Sequence, residues 1–190
     1  MNVLLGLSRG IDRLNDWVGR TFMWIALAMV LVGAYNAVVR ALDKQIGTNL
    51  SNNTWLELQW YMFAAVFLLL AGYTMLHNGH VRVDVFYSRM SLRQQAWIDL
   101  LGAVLFVIPL CLLLLYVCIP FVQNSIGWFN QGRWEYSNDP GGLIRWPVKA
   151  LLIPGFVLLA LQAFSEAIKN LAYLRGALPG FKREAEGEVA

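Results

Sequence analysis

The chain has 190 residues, of which 58% are hydrophobic and only 14% are charged, and its mean hydropathy is +0.51. In a soluble domain, roughly a quarter of the residues are charged. This composition therefore excludes an ordinary soluble enzyme and indicates a membrane protein. The net charge of +3 comes from Lys and Arg residues spread along the chain. The basic balance therefore does not indicate a nucleic-acid partner.

Amphipathic spacing precedes the first long apolar segment. Hydrophobic residues recur there at intervals of three and four positions, which predicts a helix lying along the cytoplasmic membrane surface and entering the membrane near Trp17. A charged stretch of 20 residues before the apolar segment is too long for the start of a signal peptide. The residues of this apolar stripe are Leu4, Leu7, Ile11, Leu14 and Val18.

Four segments are long and apolar enough to cross the membrane, which takes about 20 residues of helix. The fourth has only 16 uncharged residues between Lys149 and Glu166, so we expect its charges to lie at the two interfaces. The sequence predicts an all-α integral membrane protein with one four-span domain, 1–178, and a polar C-terminal tail, 179–190. The predicted spans are 21–39, 58–76, 98–122 and 146–174.

The distribution of Lys and Arg predicts the orientation, because short loops rich in these residues stay cytoplasmic. The N-terminal segment, the connection between spans two and three, and the C-terminal end together carry ten of them. The other side carries five. Both termini are therefore predicted to be cytoplasmic, which agrees with an even number of spans.

Two helix starts carry capping signals. Thr54 and Glu57 have the spacing of a capping box at the start of the second span. Ser91 and Gln94 have the same spacing, which predicts that the third helix begins near Leu92, before the membrane edge.

Proline and glycine predict further features of the last two spans. Pro109 and Pro154 lie inside the third and fourth spans and are expected to kink them. Pro147 suits the first turn of the fourth helix, and Gly176 suits its C-terminal cap.

Small residues predict where helices approach closely. They occur in the first two spans, at Gly33, Ala37, Ala65, Ala71 and Gly72.

The longest external connection, 123–145, is rich in aromatic residues and contains a tight turn at 139–142. The rings have two readings at this stage, an aromatic belt at the membrane interface or a docking surface for a soluble partner. They are Trp128, Phe129, Trp134 and Tyr136, followed by Trp146.

The sequence predicts no cofactor and no metal. Cys111 and Cys118 would lie ~10 Å apart along a helix, too far for a disulfide. His77 and His80 fall within one turn and cannot serve as opposite axial ligands of a haem.

Mid-membrane positions carry no ionisable residue in any of the four spans. A transporter with its own solute pathway usually keeps such a group. The sequence therefore predicts a noncatalytic subunit that supports transport by another protein.

The residues around the end of the second span resemble a known family. Trp55 and Glu57 open this span, and Gly79, His80 and Asp84 lie in the segment Gly-His-Val-Arg-Val-Asp that follows it. This pattern is similar to the DctQ-like small membrane subunit of tripartite ATP-independent periplasmic (TRAP) transporters. The later stretch 139–149 is similar to the longer branch of that family.

The resemblance implies a three-component importer in the bacterial inner membrane. A periplasmic solute-binding protein captures an organic acid, and a large membrane subunit moves it, driven by an ion gradient that is usually of sodium. The small subunit is implied to be a scaffold that packs on the large subunit and contacts membrane lipids.

Several interfacial residues are candidates for contacts with the partner or with lipid. Glu57 is predicted to pair with Arg40 or with a cation of the large subunit, and Arg82 with Asp84 or a lipid phosphate. The full set is Arg40, Trp55, Glu57, Gly79, His80, Arg82, Asp84 and Trp146.

Two other functions fit a four-span chain. One is a small transporter that works by itself as an oligomer. The other is a tetraspan redox subunit, which the two histidines disfavour.

Overall fold

The structure is a computed structural model that describes residues 1–46, 52–79, 87, 89–178 and 181. Within these residues, four helical stretches are long and apolar enough to cross a membrane, which confirms the predicted all-α, four-span class. The helices are α1 (Asn2–Ile46), α2 (Asn53–Leu69), α3 (Ala71–Leu76), α4 (Leu92–Gly102), α5 (Ile108–Gln123), α6 (Trp146–Ala150) and α7 (Leu152–Leu174).

Helix α7 is the centre of the bundle and packs against α1, α3, α4 and α5. In the fourth span, 39% of the most apolar stretch is buried inside the protein, against 6–11% in the other three spans. This position explains why the fourth span is the most interrupted by charge in the sequence. Its polar side chains face other helices rather than lipid.

The N-terminal amphipathic segment is helical as predicted, and it is continuous with the first span in α1. The buried face of this segment differs from the apolar stripe. Ser8 and Asn15 are buried together with Ile11 and Val18, because they meet polar side chains of α7. The remaining stripe residues are exposed, namely Leu4, Leu7 and Leu14.

One of the two predicted capping boxes forms. Ser91 and Gln94 make theirs, and α4 begins at Leu92 as expected. The box predicted for Thr54 and Glu57 is wrong. Asn52 caps α2 instead, since its side chain accepts a hydrogen bond from the backbone N–H of Thr54 at 3.2 Å.

The prolines interrupt regular α-helix near the expected places. A π-helical turn, Ala103–Val107, separates α4 from α5 and lies just before Pro109, whose ring would otherwise meet the carbonyl four residues back. The break between α6 and α7 falls at Leu151, three residues before Pro154.

Both ends of the fourth span carry the predicted terminal residues. Pro147 lies in the first turn of α6. Gly176 has a φ of +75°, and the N–H of Ala177 reaches the carbonyl of Ala172 at 2.9 Å. This is the hydrogen bond of a Schellman cap.

Close helix contacts depend on two of the predicted small residues. A Cβ atom on Gly72 would lie 2.3 Å from Asn15 Oδ1 and 3.1 Å from the carbonyl oxygen of Leu158. A Cβ atom on Gly33 would lie 2.7 Å from the side-chain nitrogen of Gln59. Gly72 therefore lets α3 approach α1 and α7 at the same point.

Replacing Gly72 with Ala is expected to destabilise the protein by about 1–3 kcal/mol, because the added methyl group has no room. Gly6 is the matched control, since a Cβ atom there meets nothing within 4 Å, and Gly6→Ala is expected to be neutral or slightly stabilising. The midpoint of thermal unfolding in mild detergent measures both. Equal midpoints for the two variants would contradict the close approach at Gly72.

Candidate functional site at the two ends of the bundle

Polar side chains of α1 and α7 meet in a group that we call the Asp12 cluster. The Asp12 carboxylate accepts hydrogen bonds from Ser165 Oγ at 2.7 Å and from Gln162 Nε2 at 2.9 Å. Lys169 Nζ lies 3.3 Å from the same carboxylate. The cluster consists of Ser8, Asp12, Asn15, Gln162, Ser165, Glu166 and Lys169.

Further hydrogen bonds extend the Asp12 cluster along the helix interface. The hydroxyls of Ser8 and Ser165 are 2.6 Å apart, and Asn15 Nδ2 donates to Gln162 Oε1 at 2.9 Å. Lys169 also pairs with Glu166, one turn away on its own helix. Lys169 therefore pairs with two carboxylates, one on each helix. The polar groups of α7 are matched by polar groups on α1 rather than by lipid.

The connection between α5 and α6 folds into a compact structure that we call the hairpin, residues 124–145. The backbone N–H of Ser137 donates to Leu143 O at 3.0 Å, and the N–H of Arg145 donates to Glu135 O at 2.9 Å. Gly141 has a φ of +76°, and the N–H of Gly142 donates to Asp139 O at 2.9 Å. The tight turn predicted at 139–142 is confirmed.

The start of α2 holds the tip of the hairpin through three side chains on one helix face. Glu57 accepts a hydrogen bond from the backbone N–H of Leu143 at 2.5 Å. Thr54 Oγ1 donates to Gly141 O at 2.7 Å, and Tyr61 OH donates to Ile144 O at 3.3 Å. The side chains that the sequence assigned to a capping box therefore bind the hairpin instead.

Glu135 fastens the base of the hairpin to the start of the fourth span. Its carboxylate accepts hydrogen bonds from Lys149 Nζ and from Ser125 Oγ. The hydrogen bond from Lys149, followed by that from Ser125, lowers the pKa of Glu135 below its usual value. The carboxylate thus stays ionised beside its cation, and Lys149 is neutralised within the protein.

The aromatic residues of the hairpin divide into packed and exposed rings. Trp134 lies 5.7 Å from the Trp128 ring and 6.4 Å from the Trp146 ring, measured between centroids. It also covers Gly127, where a Cβ atom would come within 2.7 Å of the indole. Trp128 and Phe129 remain 85% and 67% exposed, which is consistent with both a membrane belt and a docking surface.

The predicted pairing of Glu57 with Arg40 is wrong. Arg40 donates instead to the side chains of Asn36 and Asn53, each at 3.3 Å, while Glu57 is 7% exposed and is held by the hairpin. The carboxylate turns towards the backbone N–H of Leu143, which would otherwise be an unpaired donor at the membrane surface.

The other candidate residues are spread over both ends of the bundle. Trp55 packs edge-on against Tyr35 at 5.3 Å, and Trp146 begins α6 beside Trp134. Gly79 closes the cap of α3, where its N–H donates to Thr74 O at 2.8 Å. Three candidates lie outside the described residues, namely His80, Arg82 and Asp84.

Most of the polar residues that join the elements carry no signal of their partners in the sequence. Nothing in the spacing of Asp12 and Lys169 links these two positions, which are 157 residues apart. The sequence did contain a signal that Ser8 and Asn15 lie on the buried face of the helix. These two polar residues fall on the same helix face as Ile11 and Val18, so they interrupt what would be the apolar stripe.

Replacing Asp12 with Asn is expected to lower the free energy of unfolding by about 2 kcal/mol, because Lys169 loses a partly buried counterion. Asp16→Asn is the matched control on the same helix, since Asp16 pairs at the surface with Arg20, a type of pair worth at most about 1 kcal/mol. Thermal unfolding in mild detergent gives both values. An equal loss in the two variants would contradict the prediction that the Asp12 cluster stabilises the protein more than a surface ion pair does.

Replacing Glu57 with Ala is expected to raise the rate of trypsin cleavage after Arg133 about tenfold. Losing a charge-assisted hydrogen bond to Leu143 costs roughly 1.5–3 kcal/mol, which increases the population of the open hairpin by that factor or more. Tyr136→Phe is the control, because this exposed ring belongs to the same hairpin. An unchanged cleavage rate in Glu57→Ala would contradict the stabilisation of the hairpin by the hydrogen bond between Glu57 and Leu143.

Comparison with known proteins identifies the family. The family model for the DctQ component of tripartite ATP-independent periplasmic transporters matches residues 29–172. The matched region contains the hairpin, Glu57 and Lys169, while the N-terminal residues of the Asp12 cluster precede it. No curated protein and no solved structure matches the chain. The chain belongs to the family of DctQ components of tripartite ATP-independent periplasmic transporters.

Proposed function

We propose that this chain is the noncatalytic scaffold subunit of a TRAP-type importer in the bacterial inner membrane. It packs on the large membrane subunit, which imports an organic acid delivered by a periplasmic solute-binding protein. A sodium ion gradient drives the import. The observation that carries this proposal is the family match over residues 29–172.

The distribution of charge supports a scaffold role. The charged residues of the fourth span that the structure describes lie at its two ends, where Lys149 pairs with Glu135 and Lys169 pairs with Asp12 and Glu166. The sequence of each span between its ends carries no carboxylate and no basic side chain. A transporter with its own solute pathway usually keeps such a group in mid-membrane.

The outer surface of the bundle supports a role in packing. Only 11% of the most apolar stretch of the third span is buried, and large side chains such as Phe106 and Tyr116 are 72% and 78% exposed. This apolar surface can contact either lipid tails or the apolar helices of a larger membrane subunit. We assign part of it to the large subunit.

We further propose that both termini are cytoplasmic, on the Lys and Arg distribution of the sequence. In this orientation the hairpin faces the periplasm, on the side from which the binding protein delivers its solute. We propose that Arg82, together with His80 and Asp84 near it in the sequence, contacts lipid phosphates or the large subunit on the cytoplasmic side.

Affinity purification of the C-terminally tagged chain from native membranes in mild detergent tests the function. The expected result is a large polytopic partner in equal amount, identified by mass spectrometry. A second membrane complex known to survive the same detergent serves as the control. Recovery of the chain alone, together with solute uptake by the chain alone in liposomes, would favour an independent transporter. Haem absorbance in the purified protein would favour a redox subunit.

Replacing Arg82 with Ala is expected to reduce recovery of the large subunit and solute uptake by the same factor, because both depend on assembly. Arg13→Ala is the matched control, since it removes a cation from the same predicted membrane side. Tagged purification and uptake in cells measure the two quantities. Unchanged assembly and uptake in Arg82→Ala would remove the proposed contact at that residue.

A further inference from the structure

A cavity of about 170 Å³ lies between the hairpin, the first turns of α2 and the start of the fourth span. It is separate from the Asp12 cluster, which lies at the other end of α7. The charged residues that line it are Glu57, Asp139, Arg145 and Lys149, and Trp60 and Val148 add apolar surface. Because all of them sit within two turns of a helix end or in the hairpin, the cavity lies at the depth of lipid headgroups.

Two of the four charged residues that line this cavity already have partners. Glu57 accepts from the backbone of Leu143, and Lys149 pairs with Glu135. The half-buried Arg145 guanidinium differs, since no acceptor for it is found in the part of the chain that the structure describes. Asp139 is exposed at the rim, and its carboxylate likewise has no donor among the described side chains.

The Arg145 guanidinium lies in the electrostatic field of the Glu57 and Glu135 carboxylates, but neither accepts a hydrogen bond from it, so its donors are open to a ligand. Its planar donors suit a phosphate group, which it can bind through two hydrogen bonds. The neighbouring Asp139 carboxylate repels a second negative charge and attracts an ammonium group. The pair of charges therefore matches a ligand that carries a phosphate and an amine together.

The remaining lining points to a ligand with an apolar chain. Trp60 is 65% exposed and lies on α2 one residue from Tyr61, facing away from the bundle. Val148 adds an aliphatic surface at the same depth. Indole rings at this depth pack along the glycerol and upper acyl region of lipids.

We propose that this cavity binds the headgroup of a zwitterionic phospholipid that carries a primary amine. The phosphate binds Arg145, the ammonium group binds Asp139, and the upper acyl chain lies against Trp60 and Val148. The bound lipid thereby joins the hairpin to the start of α2 and supplies the acceptor that Arg145 lacks.

Native mass spectrometry tests this site on the full chain, extracted in mild detergent with the proteins that stay bound. Palmitoyl-oleoyl phosphatidylethanolamine and palmitoyl-oleoyl phosphatidylglycerol are added separately, and inorganic phosphate is added as a competitor. The expected result is a saturable phosphatidylethanolamine adduct that exceeds the phosphatidylglycerol adduct. Arg145→Gln is expected to weaken the phosphatidylethanolamine adduct about tenfold, the effect of one charge-assisted contact.

Two further variants keep the test decisive. Arg133→Gln is the matched control, because Arg133 is an exposed cation of the same hairpin that does not line the cavity. Asp139→Asn is expected to remove the preference for phosphatidylethanolamine over phosphatidylglycerol while retaining lipid binding. If Arg145→Gln disturbs the hairpin, seen as faster trypsin cleavage, the lipid preference in Asp139→Asn decides.

Three results would overturn the proposal. The first is equal adducts in Arg145→Gln and Arg133→Gln, which would mean that lipid binds elsewhere. The second is an unchanged lipid preference in Asp139→Asn. The third is displacement of the lipid by inorganic phosphate at equal concentration, which would identify the ligand as a free anion.

Discussion

Two lysines in the last helical stretch set the main constraint on this fold. Lys149 and Lys169 are 20 residues apart, which is ~30 Å along a helix and equals the thickness of the hydrocarbon layer. Neither cation can face lipid without a partner. Glu135 of the hairpin meets the first, and Asp12 of α1 meets the second together with Glu166. The remaining elements are arranged around these two ends.

Between the two ends the helices meet through small and apolar side chains. Gly72 brings α3 against Asn15 and Leu158, and a Cβ atom on Gly155 would lie 3.1 Å from the carbonyl oxygen of Leu68. Such contacts give close packing but little orientation in lipid, where apolar burial adds little driving force. The polar ends provide the orientation, because each hydrogen-bonded group has one acceptable partner position. This arrangement of polar ends and an apolar outer surface agrees with the proposed scaffold role.

The features predicted from the sequence are those set by local chemistry. Span number, the start of α4 at Leu92, the tight turn before Gly142 and the cap at Gly176 depend on residues within a few positions. The partners of Glu57 and Asp12 are residues more than 80 positions away. The local spacing of residues in a single sequence does not show which distant positions meet. The expected pairing of Glu57 with Arg40 is wrong for this reason. Arg40 is a nearby opposite charge in the sequence, but the donor that Glu57 meets in space is the backbone N–H of Leu143. All eight predicted interface residues stay predictions as contacts of a partner or of lipid, and three of them, in 80–84, lie outside the described residues.

The most direct test of this account is a disulfide between the two halves of the Asp12 cluster. A chain with Cys111 and Cys118 replaced by Ser carries Ser8→Cys and Ser165→Cys, whose hydroxyls are 2.6 Å apart, and is oxidised in native membranes. Near-complete crosslinking is expected, seen as a mobility shift that reductant reverses, and little crosslinking is expected when Gly6→Cys, on an exposed face, replaces Ser8→Cys. No crosslink between positions 8 and 165 would contradict the packing of α1 on α7, because the N-terminal helix would then lie on the membrane surface away from α7.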